Sequence, residues 1–222
     1  MRTHAASRVA LPQAAFERVR FVGPVAPQRE ALERFIAQRY AEAFGANLRR
    51  FMPWLAAFED GDGELHAALG LRGADHGPLF VERYLDAPIE HALRAVYGQG
   101  VARGSVIEVG NFAARHAGDT RRMIHALVER LVNSDYRYVV FVATLGLRNA
   151  FGRLGLAPRV VVAADPARLG AERDDWGSYY DGDPQVVVGD LASGLAWLRE
   201  RDAATPAGAA ARVVVGDCTA CA

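Results

Sequence analysis

Residues 105–132 read Ser-Val-Ile-Glu-Val-Gly-Asn-Phe-Ala-Ala-Arg-His-Ala-Gly-Asp-Thr-Arg-Arg-Met-Ile-His-Ala-Leu-Val-Glu-Arg-Leu-Val, and the fold turns on this stretch. Its first part, Ser105 to Ala113, is rich in β-branched and apolar residues and predicts a long strand. In its last part Met123, Ile124, Leu127, Val128, Leu131 and Val132 make one apolar stripe, opposed by Arg122, Glu129 and Arg130, which predicts an amphipathic helix. Between them lie a glycine and three arginines at the start of that helix.

Working outward, Arg18-Val-Arg-Phe-Val22 alternates as a short strand before a break at Gly23, Pro24 and Pro27. Leu32, Phe35, Ile36, Tyr40, Ala43 and Phe44 fall at helical spacing, and Gly45 stops that helix. Trp54–Phe58 and Leu65–Leu71 read as a hairpin joined by Asp60-Gly-Asp-Gly63, whose glycines supply positive φ. A helix is predicted over Ile89–Tyr97 behind Pro88. Tyr138–Ala143 is an uninterrupted apolar strand, as expected when both faces are covered. A short helix over Leu147–Leu154, a strand over Arg159–Ala163, a polar-aromatic loop carrying Trp176–Tyr180, a strand over Gln185–Val188 and a helix over Leu191–Arg199 follow. The sum predicts an α/β fold: one mixed central sheet with helices on both faces. Residues 1–202 are read as a single domain and 203–222 as a flexible tail.

At 222 residues, 51% hydrophobic and 23% charged, the chain has an ordinary globular composition. Acidic and basic residues balance at 26 each, so no global field favours nucleic acid or anionic membrane. No apolar run reaches the roughly 18 residues of a membrane span, and the N-terminus lacks a signal-peptide core. A cytoplasmic protein that is not integral to a membrane is expected. The two cysteines, Cys218 and Cys221, are spaced C-x-x-C but have no histidine nearby. The pair is incomplete as a metal site and is read as tail, and no metal is expected.

Two chemistries stand open at residues 105–132. Unpaired amides and the dipole at a helix start, with arginines to grip phosphate oxygens, suit an anion such as a pyrophosphate. The same residues equally describe a helix capped by Asp119 or Thr120, with Arg115, Arg121 and Arg122 solvated. Glu108 lies mid-strand on the face opposite Ile107 and Val109. In a cleft it would have a raised pKa and could deprotonate an amine, whereas on an edge strand it would be a solvated or Arg-paired carboxylate. His116 is either a ligand contact or a surface residue, and His66 and His125 are read as structural. No Gly-x-Ser-x-Gly elbow, His-Glu-x-x-His or Walker loop occurs, which removes the usual hydrolase, zinc protease and NTPase readings.

Pro78–Glu90, Ile107–Ala113, Val140–Thr144, Leu147–Leu156, Ala164-Asp-Pro166 and Trp176–Tyr180 together resemble the bacterial thermostable hemolysin family. That family resembles the GNAT superfamily and, within it, the acyl-homoserine-lactone synthases, whose Glu-x-Ser-Arg-Phe strand is similar to Glu108-x-x-Asn-Phe-Ala113. The resemblance implies a bulged central strand splayed from its neighbour, with an acyl-donor thioester lying in the opening. It implies Glu108 and Asn111 as catalytic residues. Gly110, Phe112, Ala113, Arg115, Gly118, Asp119, Thr120, Arg121, Arg122, Thr144, Asn149 and Phe151 are implied to meet the acyl donor. Trp176, Tyr179 and Tyr180 are implied as walls of the substrate pocket. The phosphate motif is kept only through Arg115 and Gly118. Phe151 stands where many GNAT enzymes have a proton-donating Tyr, so another donor acts or the thiolate leaves unassisted. The implied activity is N-acyl transfer, with no tightly bound cofactor: a fatty acyl group passes from acyl-CoA or acyl carrier protein to a small amine such as an amino acid. A directly membrane-active cytolysin and a non-catalytic binding module are the competing readings.

Overall fold

A computed structural model describes residues 16–204. Among these, seven strands form one sheet in the order β1-β2-β3-β4-β5-β7-β6. The strands are β1 (Arg18–Val22), β2 (Trp54–Glu59), β3 (Leu65–Gly73), β4 (Val106–Ala114), β5 (Tyr138–Ala143), β6 (Arg159–Ala163) and β7 (Gln185–Asp190). The helices are α1 (Arg29–Phe44), α2 (Ile89–Tyr97), α3 (Ala117–Leu131), α4 (Leu145–Arg153) and α5 (Leu191–Ala204). Every neighbouring pair is antiparallel except β4 and β5, which α3 joins as a parallel pair. The predicted α/β class and element order are found, with ends shifted by up to a few residues. The largest difference is at α5, which runs on to Ala204, and α4 starts two residues early because Thr144 caps it.

Two local readings are corrected. The stretch carrying Trp176 is not a loop: Pro166–Gly182 forms 3-10 turns, broken where Gly170 and Gly177 take φ of 59° and 53°. In the β2–β3 turn only Gly63 has positive φ (82°). The Asp60 carboxylate does the rest by accepting the amides of Asp62 and Glu64. The predicted tail, 203–222, begins too early, because Ala203 and Ala204 belong to α5; residues 1–15 and 205–222, with Cys218 and Cys221, lie outside the described residues.

One face of the sheet is covered by α3 and α4. There Ile107 and Val109 meet Met123, Ile124, Leu127 and Phe151. On the other face α2 covers Val106, Val140 and Val188, and α1 covers Leu55, Ala57 and Ala68. Strand alternation therefore sends the even-numbered residues of β4, Val106 and Glu108, toward α1 and α2. On this face Glu108 lines a cavity together with Tyr40 of α1 and the segments 47–52 and 78–80.

The middle of the sheet is irregular in two linked ways. Between Gly110 and Ala113 strand β4 holds one residue more than β3 does between Ala68 and Gly70, which is a β-bulge. Asn111 carries it at φ 49°, and the Asn111 Oδ1 accepts the Met52 amide at 3.0 Å. A Cβ at Gly70 would stand 2.7 Å from both Asn111 Oδ1 and Met52 Cβ, so this approach requires glycine on β3. The β4–β5 pairing then stops at Glu108↔Val140, although both strands run on. The bulge turns the C-terminal end of β4 away and leaves a V-shaped opening.

Asn tolerates left-handed φ, whereas a β-branched side chain does not. Asn111→Val should destabilise the protein by about 3 kcal/mol, combining backbone strain and a lost hydrogen bond, while Asn111→Gly should cost about 1 kcal/mol. Urea denaturation of the two variants tests the difference.

Candidate active site

Glu108 is 1% exposed, on the middle strand rather than at an edge. Its two oxygens accept the backbone amides of Phe80 and Val81, each at 2.8 Å. Val81 opens a single 3-10 turn, Val81–Tyr84. Next to it, Glu82 accepts the Leu79 and Ile89 amides and pairs with Arg103, so residues 78–89 fold around two carboxylates. Burial raises the Glu108 pKa from 4.5 to about 7; the two amides and the nearby Arg72 oppose that rise, and Glu82 adds to it. A carboxylate poised near neutrality is suited to taking a proton from an ammonium group.

A cavity of about 490 Å³ opens beside Glu108, a size ordinary for small-molecule sites. Gly110, Asn111, Phe112, Trp176 and Tyr179 line it with Glu108, so the structure brings these six predicted residues together. Tyr180 stands behind the wall, its hydroxyl 2.5 Å from that of Tyr84, which does line the cavity. The aromatic wall is continuous. Trp176 packs on Tyr179 at 5.2 Å and on Phe80 at 5.7 Å between ring centroids. Tyr40, from α1, lines the cavity as well, along with Phe112 of the bulge, and burial raises its pKa strongly.

The remaining predicted residues lie elsewhere. Ala113 is packed under α1 with Ala68. Phe151 is buried on the α3–α4 face, stacked on Phe141 at 4.9 Å. Thr144 caps α4, its Oγ1 accepting the Leu147 amide, and Asn149 is exposed on that helix. Gly118, Asp119 and Thr120 form the first turn of α3, whose N-cap is His116, not Asp119 or Thr120. The Asp119 and Thr120 amides donate to the His116 carbonyl. Buried Asp119 bonds Arg122, whose guanidinium covers the Phe16 ring at 4.0 Å, and Arg115 pairs with Glu64. Two of the three arginines expected at a phosphate are thus held by carboxylates of the protein. Asn111, expected to be catalytic, commits its Oδ1 to holding the bulge.

Asp60, Glu64 and His66 bring three metal-capable atoms within 4.8 Å of one another. They satisfy protein partners: Asp60 bonds His66 at 2.9 Å and two amides, and Glu64 bonds Arg115. Sequence reasoning missed Tyr40, Arg72, Phe80 and Tyr84. Only the strand register could have exposed one of them, because Arg72 faces Glu108 across β3–β4.

A folded-state pKa above the unfolded value means that the Glu108 contribution to stability is complete below pH 4.5 and is lost as pH rises through about 7. Wild type should lose on the order of 3 kcal/mol across that window through this group. Glu108→Gln should lack that segment of the pH dependence. Denaturant unfolding of both proteins at pH 4.5 and pH 8 measures it.

The solved structure of TofI in an apo form is 17% identical, with a TM-score of 0.55 over 82% of this chain and 96% of that one. FeeM, an N-acyl amino acid synthase from uncultured soil microbes, is 13% identical, with a TM-score of 0.52 over 82% and 99%. MesI, a CoA-dependent acyl-homoserine lactone synthase, is 15% identical, with a TM-score of 0.52 over 86% and 97%. At these identities the likeness is one of fold: the chain shares the α/β fold of FeeM and MesI. No curated protein matches the chain by sequence, and among the described residues no helix is long and apolar enough to cross a membrane. The sequence model of the thermostable hemolysin family matches residues 22–195, and the chain belongs to the thermostable hemolysin family.

Proposed function

We propose that this protein is an N-acyltransferase that moves an acyl group, fatty in character, from an acyl thioester to the amine of a small molecule. The observation that carries the reading is Glu108: a buried carboxylate with a pKa near 7, facing a cavity at the point where β4 and β5 part. A fold shared with FeeM and MesI supports it. The donor is acyl-CoA or acyl carrier protein, whose pantetheine arm would lie along the unpaired edges of β4 and β5 and pair with their free backbone groups.

In the reaction Glu108 takes a proton from the ammonium. The freed nitrogen lone pair attacks the thioester carbonyl carbon, the C–N bond forms, and the C–S bond breaks. The nitrogen sheds its second proton, one proton returns to the departing thiolate, and one is released to solvent. Phe151 has no proton to give. Tyr40 lines the cavity with Phe112 of the splayed part of β4, and burial keeps its hydroxyl protonated, so we assign it the hydrogen bond to the departing thiolate or to the developing oxyanion. Tyr40→Phe should then slow transfer from ordinary alkyl thioesters more than from thioesters of acidic aryl thiols, and equal slowing of both would remove Tyr40 from that role.

Lysis, in this reading, is the work of an amphiphilic N-acyl product and not of the chain itself. Purified protein without acyl donor should not lyse erythrocytes, and lysis under those conditions would contradict the reading. Mass spectrometry of lipid extracts from expressing cells should reveal N-acyl amines that disappear with Glu108→Gln. With purified enzyme, kcat/KM should rise with pH and level off above about pH 7, and Glu108→Gln should cost roughly 100- to 10,000-fold in kcat.

A further inference from the structure

Arg72 stands directly opposite Glu108 in the β3–β4 register. Residues so paired have Cβ atoms about 5 Å apart on the same face of the sheet, and both side chains line the cavity. Opposite charges at that spacing ordinarily close on each other. Here they do not: among the described residues, no ion pair joins Arg72 to Glu108 or to any other carboxylate. One strap of chain keeps them apart. The Glu108 oxygens take the Phe80 and Val81 amides, and Arg72 Nη1 donates to the Pro78 carbonyl at 2.8 Å.

These backbone partners fix the direction of each side chain but carry no net charge. They also leave valences open. A carboxylate offers about four acceptor positions and a guanidinium five donors, whereas the hydrogen bonds described occupy two of the former and one of the latter. The other arginines of the cavity differ in this respect. Arg83 and Arg50 pair with Glu172 at 2.6 and 3.2 Å, and Arg49 lies 3.7 Å from Asp175. Among the described residues, Arg72 is the cavity arginine without a carboxylate partner.

We infer that Arg72 and Glu108 form a clamp for a zwitterion, so that the acyl acceptor is an α-amino acid whose carboxylate is held by Arg72 while its amine faces Glu108. The match is geometric: an α-amino acid carries its two charges on one carbon, and the protein presents the complementary two on neighbouring strands. Bidentate arginine–carboxylate contact fixes orientation as well as affinity. It would turn the amine toward the base and the side chain toward the aromatic wall of Phe80, Tyr84, Trp176 and Tyr179, which favours amino acids with apolar side chains. This assignment of acceptor class rests on the acyltransferase reading for its chemistry, but the clamp itself is a binding property that can be measured without an acyl donor.

The test is isothermal titration of the full chain with each of the twenty amino acids and with the corresponding decarboxylated amines. An apolar amino acid should bind at least roughly 10-fold more tightly than its amine, the span expected for a charge-assisted contact. Arg72→Gln keeps a donor for the Pro78 carbonyl and removes the charge; it should weaken the amino acid by roughly 10- to 100-fold and leave the amine unchanged. Arg72→Lys should fall between. In turnover the KM for the amino acid should rise while that for acyl-CoA stays constant. Equal binding of acid and amine by wild type, unchanged amino acid affinity in Arg72→Gln, or binding of none of the twenty would overturn the clamp. Should Arg72→Gln fail to fold, the wild-type ratio of acid to amine still decides. Arg72-dependent binding without any acyl transfer would overturn the acyltransferase reading and uphold the clamp. Transfer to acids and amines alike would do the reverse.

Discussion

The Glu108 carboxylate and the two backbone amides it accepts organise everything on the α1–α2 face of the sheet. An ionised group buried in the middle of a sheet is costly unless its oxygens are satisfied. Glu108 is satisfied by chain 28 and 27 residues earlier, through the amides of Phe80 and Val81. Those two bonds draw residues 78–84 over the cavity and bring Phe80 and Tyr84 into its wall. They also fix the carboxylate before any ligand arrives. The same burial that would make the group a structural liability lifts its pKa to about 7, where a base can act at neutral pH. Under the proposed reaction, structure and chemistry conflict mildly in this residue: the pH range in which Glu108 is ionised and able to act as a base is the range in which it stabilises the fold least.

The second constraint is the bulge. Three paired residues on each strand, Val106–Glu108 against Tyr138–Val140, are all that hold β4 to β5. Beyond them Asn111 bends β4 toward Met52, and the strands diverge. Because the pairing ends at Glu108 itself, the opening and the buried carboxylate fall at the same level of the sheet. Tyr40 adds a hydroxyl to the cavity that the bulge residues Asn111 and Phe112 line. The cavity beside the splayed segment of β4 therefore holds both a carboxylate and a protonated phenol.

The architecture was legible from periodicity. The α3 stripe from Met123 to Leu131 and the apolar run of β5 are buried as their patterns require, because a core face imposes its spacing on the sequence. Glu108 was legible for the opposite reason, since a carboxylate amid Val106, Ile107 and Val109 breaks the pattern. Trp176 and Tyr179 were legible only through the family resemblance. Arg72, Tyr40 and Phe80 carry no local signal: their roles come from strand register and from a helix 68 residues before the carboxylate it faces (Tyr40 to Glu108). The arginines near α3 misled in a different way. Their number suggested an anion site, but pairing with Glu64 and with Asp119 is a tertiary fact that composition does not encode.

The central claim is that a thioester donor and an amine meet beside Glu108. The most direct measurement incubates purified protein with a long-chain acyl-CoA and the mixed amino acids, and follows thiol release alongside mass spectrometry of the products. The account predicts one N-acyl product for every thiol released, with both signals falling at least roughly 100-fold in Glu108→Gln. Thiol release with no N-acyl product, or undiminished product formation by Glu108→Gln, would contradict it.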